Sequence, residues 1–184
     1  GEPTRLEIGD DNVIREFCTF NTGTVQDAGV TRIGNDNWIM AYVHVAHDCD
    51  IGNHTIFANN ASLAGHVSVQ DYVILGGFTG VHQFCRIGAH VITGIASVIR
   101  QDIPPYITVA GSPAAPHGIN SEGLKRRGYS VEALSAIKRA YKTLYKSGLG
   151  LSDAQSAIAA EVTHQPELQL LADFLAVSGR GIIR

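Results

Sequence analysis

From Ile33 to Ile99 an apolar side chain returns at every sixth position: Ile33, Ile39, Val45, Ile51, Phe57, Leu63, Val69, Leu75, Val81, Ile87 and Ile99, with Thr93 the one departure. Two places earlier in each hexad runs a second column of small or β-branched residues: Val43, Cys49, Thr55, Ala61, Val67, Val73, Thr79, Cys85 and Val91. A 3.6-residue helix does not produce this period, and neither does a strand that alternates every two residues. A fixed short repeat means a solenoid, in which each unit buries its apolar face only against its neighbours. Three hexads per coil, with three flat faces, is the simplest closure.

The same beat at Ile8, Ile14 and Phe20 places the start of the chain inside the solenoid, so further coils are expected before Gly1. Phe20 and Ile33 stand thirteen residues apart, where two hexads would give twelve, and the polar segment near 21–31 is expected to protrude as a loop. In Ile33-Gly34, Ile51-Gly52 and Ile87-Gly88 a glycine follows the inward residue, which suggests corners that need permissive dihedrals. Pro104-Pro105 removes two ladder donors, so the solenoid is expected to end by residue 106 and an irregular stretch to follow over 110–118. From Ser130 the period becomes helical through Leu134, Ile137, Tyr141, Leu144 and Tyr145. Ser152 with Gln155 predicts a capping box for a second helix, and Pro166 opens a third through Leu168, Leu171 and Leu175. The fold predicted is mainly β: a parallel β-helix over 1–106, a connecting segment over 107–129, and a small C-terminal α-helical domain over 130–184.

Composition excludes several classes. A net charge of -3 gives no general attraction to nucleic acid, no apolar run reaches the length of a membrane span, and no signal-peptide pattern opens the chain. Three scattered cysteines, Cys18, Cys49 and Cys85, form no disulfide framework and fit a reducing compartment. Cys49 and Cys85 share the small inward column six hexads apart, two rungs or about 9–10 Å, and are expected as buried thiols.

Of the eight histidines, His44, His47, His66, His82 and His90 are among those that fall within the regular hexads and outside both inward columns. For His54, His90 and His164 a solvated surface position suffices. His44, His47 and Asp48 surround one corner, and His66 follows His47 by nineteen residues, nearly one coil. Two chemistries suit such a cluster: a neutral histidine acting as general base with Asp48 orienting its ring, or three histidines holding zinc with an open fourth position. An inert cluster is the third possibility, and the residues alone leave all three open.

Four strings are more specific: His44-Val45-Ala46-His47-Asp48-Cys49, Asn59-Asn60-Ala61-Ser62-Leu63-Ala64-Gly65-His66-Val67, Gly80-Val81-His82-Gln83-Phe84, and 119–128 from Ile119 to Gly128. With the closing 180–184 string they resemble the UDP-N-acetylglucosamine O-acyltransferases of lipid A synthesis over the whole chain. The resemblance implies left-handed winding, a homotrimer with active sites in clefts between subunits, and a cytoplasmic location. It also implies transfer of an (R)-3-hydroxyacyl group from acyl carrier protein to the 3-hydroxyl of UDP-N-acetylglucosamine. No cofactor or metal is implied, since the donor rides on the carrier's phosphopantetheine.

By motif position the resemblance makes His47 the general base, Asp48 its partner, and the Gly65 N–H an oxyanion donor. His44, His66, His82 and Gln83 would line the substrate cleft, and Asn120, Glu122, Arg126 and Arg127 would bind the nucleotide sugar. The Lys125-Arg126-Arg127 cluster would also suit an acidic carrier protein, although a solvated helix start would explain it equally. Ile95 occupies the acyl-length position, where members taking long chains have glycine, so a shorter chain is expected. A sister N-acyltransferase and a zinc-dependent hydratase on the same fold are the competing readings.

Overall fold

The computed structural model describes residues 1–177 and 181–184, so Arg180, which opens the closing string, lies outside the described residues. Short parallel strands stack into three sheets, the three faces of the coil. Face one carries Arg5–Ile8, Val30–Ile33, Asp50–Ile51, Ser68–Val69 and Arg86–Ile87. Face two begins with Val13–Ile14, Trp38–Ile39, Ile56–Phe57, Ile74–Leu75 and Ile92–Thr93. Face three carries Thr19–Phe20, His44–Val45, Ser62–Leu63, Gly80–Val81 and Val98–Ile99. The register advances by eighteen residues, pairing Asp50 with Ser68 and Ser68 with Arg86.

Every residue named above in the two columns from Ile33 to Ile99 is buried. Each fully buried Ile, Leu or Phe contributes about 1.5–3 kcal/mol relative to exposure. Thr93 fits the inward column because its hydroxyl meets that of Thr79, from the other column, at 2.8 Å and accepts from Gly76 N at 2.9 Å. Cys49 and Cys85 are buried and in no disulfide, and burial pushes the Cys49 thiol up to about 11.

The corners work differently from the expectation. The left-handed residue falls three places after each inward one, at Asp36, Tyr42, Asp48, His54, Asn60, His66, Tyr72, Phe78, Phe84, His90 and Ala96, with φ between 55 and 66°. The glycines at 34, 52 and 88 are instead sites of close approach between coils. A Cβ on Gly34 would stand 2.5 Å from the Gly52 carbonyl oxygen, and one on Gly88 would stand 2.4 Å from the Pro105 nitrogen.

The phase slip is also larger than the spacing suggested. Arg5 pairs with Val30, Val13 with Trp38 and Thr19 with His44, an advance of twenty-five residues, so the first coil carries seven extra. These form a loop between Phe20 and Val30, at the corner between faces three and one. Ile8 and Ile14 stay 42% and 39% exposed despite their inward phase, because only one side of that coil is covered.

The solenoid does not stop at 106. Ile103 bridges Ile87, and Ile107–Gly111 pairs in parallel with Ile92–Thr93, sixteen residues on, the Pro104-Pro105 corner being shortened. Ala114–Ile119 folds back antiparallel on Ile107–Gly111, so the expected irregular stretch is a hairpin that extends face two. The helices are α1 (Ser121–Arg126), α2 (Val131–Tyr145), α3 (Leu151–Glu161) and, after a tight turn at Pro166–Leu168, α4 (Gln169–Ala176). Ser130 caps α2 through Ala133 N. The predicted capping box fails: α3 begins at Leu151 behind Gly150, and Gln155 Nε2 reaches across to the Leu175 carbonyl at 2.6 Å. Among the described residues no helix is long and apolar enough to cross a membrane.

Tyr106 joins the two parts. It packs with Leu124, Ile137, Leu144, Ile158, Leu168 and Leu171, and its hydroxyl donates to the Glu167 carbonyl at 2.7 Å. It also tops a ladder of rings, His54, Tyr72, His90 and Tyr106, stacked at 4.7, 5.0 and 5.6 Å. His90 is therefore not a solvated surface histidine. It is 5% exposed, and burial, with the nearby Arg127 charge, pushes its pKa down from 6.5 to about 4.

Two outcomes are expected. Gly34→Ala forces a methyl against backbone and loses about 1–3 kcal/mol in thermal unfolding, whereas Asp36→Gly, at the left-handed residue, stays within about 1 kcal/mol of the parent. For His90, the unfolded chain takes up a proton that the folded one refuses, so stability falls as pH drops from about 6.5 to about 4, by up to about 1.4 kcal/mol per unit. Urea midpoints at pH 7 and pH 5 should show this slope, and His90→Gln should lose it.

Candidate active site

Each coil contributes to the corner between faces three and one at an eighteen-residue interval. His47, Gly65 and Gln83 stack in one column, and Asp48, His66 and Phe84, all left-handed, in the next. His47 Nδ1 lies 2.9 Å from Asp48 Oδ2. The Asp48 side chain is 2% exposed and accepts from Thr24 N at 2.9 Å and Thr24 Oγ1 at 2.7 Å, while its own N–H donates to Thr31 Oγ1. Burial pushes this carboxyl up, but the two Thr24 donors and His47 outweigh it and hold it below the usual range. An ionised Asp48 fixes the proton of a neutral His47 on Nδ1 and leaves Nε2 as the basic nitrogen.

Gly65 is required beside that ring. A Cβ there would stand 2.6 Å from His47 Cε1 and 2.8 Å from Nε2. Among the described residues the Gly65 N–H meets no acceptor, whereas the next one, of His66, donates to the His47 carbonyl at 3.0 Å. His66 presents its edge to His47 at 5.0 Å, stacks on Phe84 at 4.5 Å, and holds Asp27 Oδ2 at 2.7 Å from Nδ1. His47, Asp48 and His66 offer ligand atoms within 4.8 Å of one another, a donor set that could hold a divalent cation. In the arrangement observed, each imidazole Nδ1 is engaged with a carboxylate instead.

His44 sits on face three with Nδ1 2.7 Å from Thr19 Oγ1. It lines an open groove with Ser62, Ala64, Gly80, His82 and Arg100. His82 Nδ1 lies 3.1 Å from the Gln83 carbonyl. Across face three, at the corner with face two, Ile95 is 75% exposed, and Phe78 and Tyr42 on the same corner are also exposed.

The other four expected residues are elsewhere in the protomer. Asn120 is 7% exposed and caps α1: Oδ1 accepts from Gly123 N at 3.1 Å and Nδ2 donates to the His90 carbonyl at 2.9 Å. Arg127 lies over the Tyr72 ring at 4.9 Å and donates to the Tyr72 carbonyl, while its buried Nη1 has no partner among the described residues. Glu122 pairs with Lys125 at 2.8 Å, and Arg126 is exposed. His90 and Tyr72 belong to the corner between faces one and two, so this group is one whole face from His47.

Thr24 and Asp27 were missed by sequence reasoning. Their signal was the phase slip: Phe20 pairs with Val45, so a loop leaving after Phe20 must cross in front of His47 and Asp48.

Comparison with known proteins agrees with this geometry. Residues 102–183 match the family model described as UDP-N-acetylglucosamine O-acyltransferase, domain 2, and residues 31–65 match the bacterial transferase hexapeptide repeat. The acyl-[acyl-carrier-protein]–UDP-N-acetylglucosamine O-acyltransferase of Thiobacillus denitrificans is 70% identical over 184 residues, all of this chain and 71% of that protein. Its counterpart in Janthinobacterium sp. is 61% identical over all of this chain and 72% of its own length. The crystal structure of UDP-N-acetylglucosamine O-acyltransferase from Moraxella catarrhalis superposes with a TM-score of 0.97 at 46% identity, covering all of this chain and 72% of that one. Coils of opposite hand could not superpose so closely, so the winding sense is shared. Corner geometry, hexad repeat and identity over all of this chain converge, and the chain belongs to the UDP-N-acetylglucosamine O-acyltransferase family.

Proposed function

We propose that the protein moves an (R)-3-hydroxyacyl group from acyl carrier protein to the 3-hydroxyl of UDP-N-acetylglucosamine in lipid A synthesis, with His47 as general base. The observation that carries the mechanism is the His47 ring, held by a buried ionised Asp48 against a glycine with an uncommitted N–H. A sugar hydroxyl is a poor nucleophile at neutral pH. His47 Nε2 takes its proton as the oxygen attacks the thioester carbonyl, and Asp48 stabilises the imidazolium that forms. The tetrahedral oxyanion accepts from the Gly65 N–H. Collapse breaks the carbon–sulfur bond, and the imidazolium returns the proton to the departing thiolate. The carrier's own phosphopantetheine supplies the thioester, so no further cofactor enters.

The acceptor would lie against His44, His66, His82 and Gln83, with the acyl chain running along face three toward Ile95. A single protomer keeps α1 a full face away from His47, so in this reading a neighbouring subunit brings Asn120, Glu122, Arg126 and Arg127 opposite that corner. This supports a homotrimer with clefts between subunits. The exposed Arg126 suits a diphosphate, while Asn120 caps α1 and Arg127 is held over the Tyr72 ring. The exposed Lys125 and Arg126 also suit an acidic carrier protein. Three cysteines outside any disulfide support a cytoplasmic location. The sister N-acyltransferase reading is disfavoured by the O-acyltransferase match over 102–183.

His47→Ala should lower kcat by about 10² to 10⁴ with an acyl-carrier donor and UDP-N-acetylglucosamine, while thermal unfolding and assembly mass stay those of the parent. Full activity in that variant would remove His47 from the role. Ile95→Gly should move the donor optimum to longer chains, each added methylene gaining about 0.8 kcal/mol of burial. A carrier-protein series of graded acyl length reads this directly, and an unmoved optimum contradicts it.

A further inference from the structure

The loop after Phe20 brings a second carboxylate to the active corner. Asp27 Oδ2 lies 2.7 Å from His66 Nδ1, so two histidine–carboxylate pairs of the same pattern stand on adjacent coils. The loop is tied down at both ends, since Gly23 N donates to the Arg5 carbonyl at 3.1 Å and Arg5 N to the Gly29 carbonyl at 2.9 Å. Within it, Asp27 N donates to the Thr24 carbonyl at 3.2 Å, and Thr24 in turn holds Asp48. One turn of chain therefore sets both carboxylates.

We infer that Asp27 is a positioning residue for His66, fixing its tautomer and ring plane so that Nε2 is presented to the acceptor sugar. A carboxylate on Nδ1 requires the proton to sit there, and the opposite nitrogen is then the one left for substrate. Phe84 on one flat side and the edge contact with His47 restrict the ring's position but do not choose between its nitrogens. Among the described residues, the Asp27 bond is the one that does. A structural role explains Asp27 poorly: its side chain is 50% exposed, and an ion pair at that exposure adds little to stability. The inference rests on the proposed placement of His66 in the acceptor cleft.

The test combines kinetics, a double-mutant cycle and NMR on the full chain. Asp27→Ala should lower kcat/KM for UDP-N-acetylglucosamine about tenfold, mostly through KM, the scale of one charge-assisted hydrogen bond. Asp27→Asn keeps an acceptor oxygen and should recover part of the loss. In a His66→Ala background, Asp27→Ala should have no further effect, because its influence runs through that ring. A second tenfold loss there would overturn the inference and shift the role to Thr24 and Asp48. Nitrogen-15 spectra of labelled histidine should show His66 protonated on Nδ1 in the parent and mixed in Asp27→Ala; an unchanged tautomer in the variant also overturns it. Parent protein that transfers no acyl group to UDP-N-acetylglucosamine would sink the proposed function, while the spectra still decide the role of Asp27.

Discussion

A chain that closes three flat faces into a coil must turn sharply three times per circuit, and here one residue in six does this with a left-handed backbone. For residues other than glycine that conformation costs roughly 1–2 kcal/mol each, and the buried columns offset it. The result is more than a turn. Left-handed residues recur in register, so their side chains stack along the corners at about the 4.8 Å spacing of neighbouring strands. Asp36, His54, Tyr72 and His90 form one such ladder, and Asp48, His66 and Phe84 another.

The two ladders use one geometry for different ends. Along the first, the rings are covered by Arg127 and Tyr129 from the link between α1 and α2, and His90 becomes a neutral, buried element of the joint between solenoid and helices. Along the second, the loop after Phe20 covers Asp48 but leaves His47 44% exposed. The carboxylate is dry and the imidazole is wet, the order that the proposed general-base chemistry needs. The two donors of Thr24 lead the interactions that hold the Asp48 carboxyl below the usual range against its burial.

The inward columns were legible because period six has no competing explanation, and the helix beginning after Ser130 was legible because its cap and its stripe agree. The pairing of His47 with His66 followed from the same spacing. What escaped depends on contacts between distant residues. The glycines at 34, 52 and 88 were assigned to turning when they serve close approach, because sequence shows a missing Cβ but not which neighbour needs the room. The hairpin at 107–119 was hidden by Pro104-Pro105, which shortens the coil without ending it. Ser152 and Gln155 matched a capping box by spacing alone, while tertiary contact with α4 claimed Gln155. Asn120 and Arg127 carry a family motif, yet in one protomer their side chains hold the helices to the corner.

A solenoid has no intrinsic length: the last coil presents the same open edge to which every earlier coil was added, and that edge is a template for another chain. Here it is largely occupied. Ala114–Ile119 takes the free side of Ile107–Gly111, and the tail returns so that Asp102 N donates to the Gly181 carbonyl and Ile183 N to the Asp102 carbonyl, at 3.0 and 2.9 Å. Ile183 is buried with the solenoid core. Residues 181–183 thus cover the backbone edge that the last coil would otherwise leave open at Asp102.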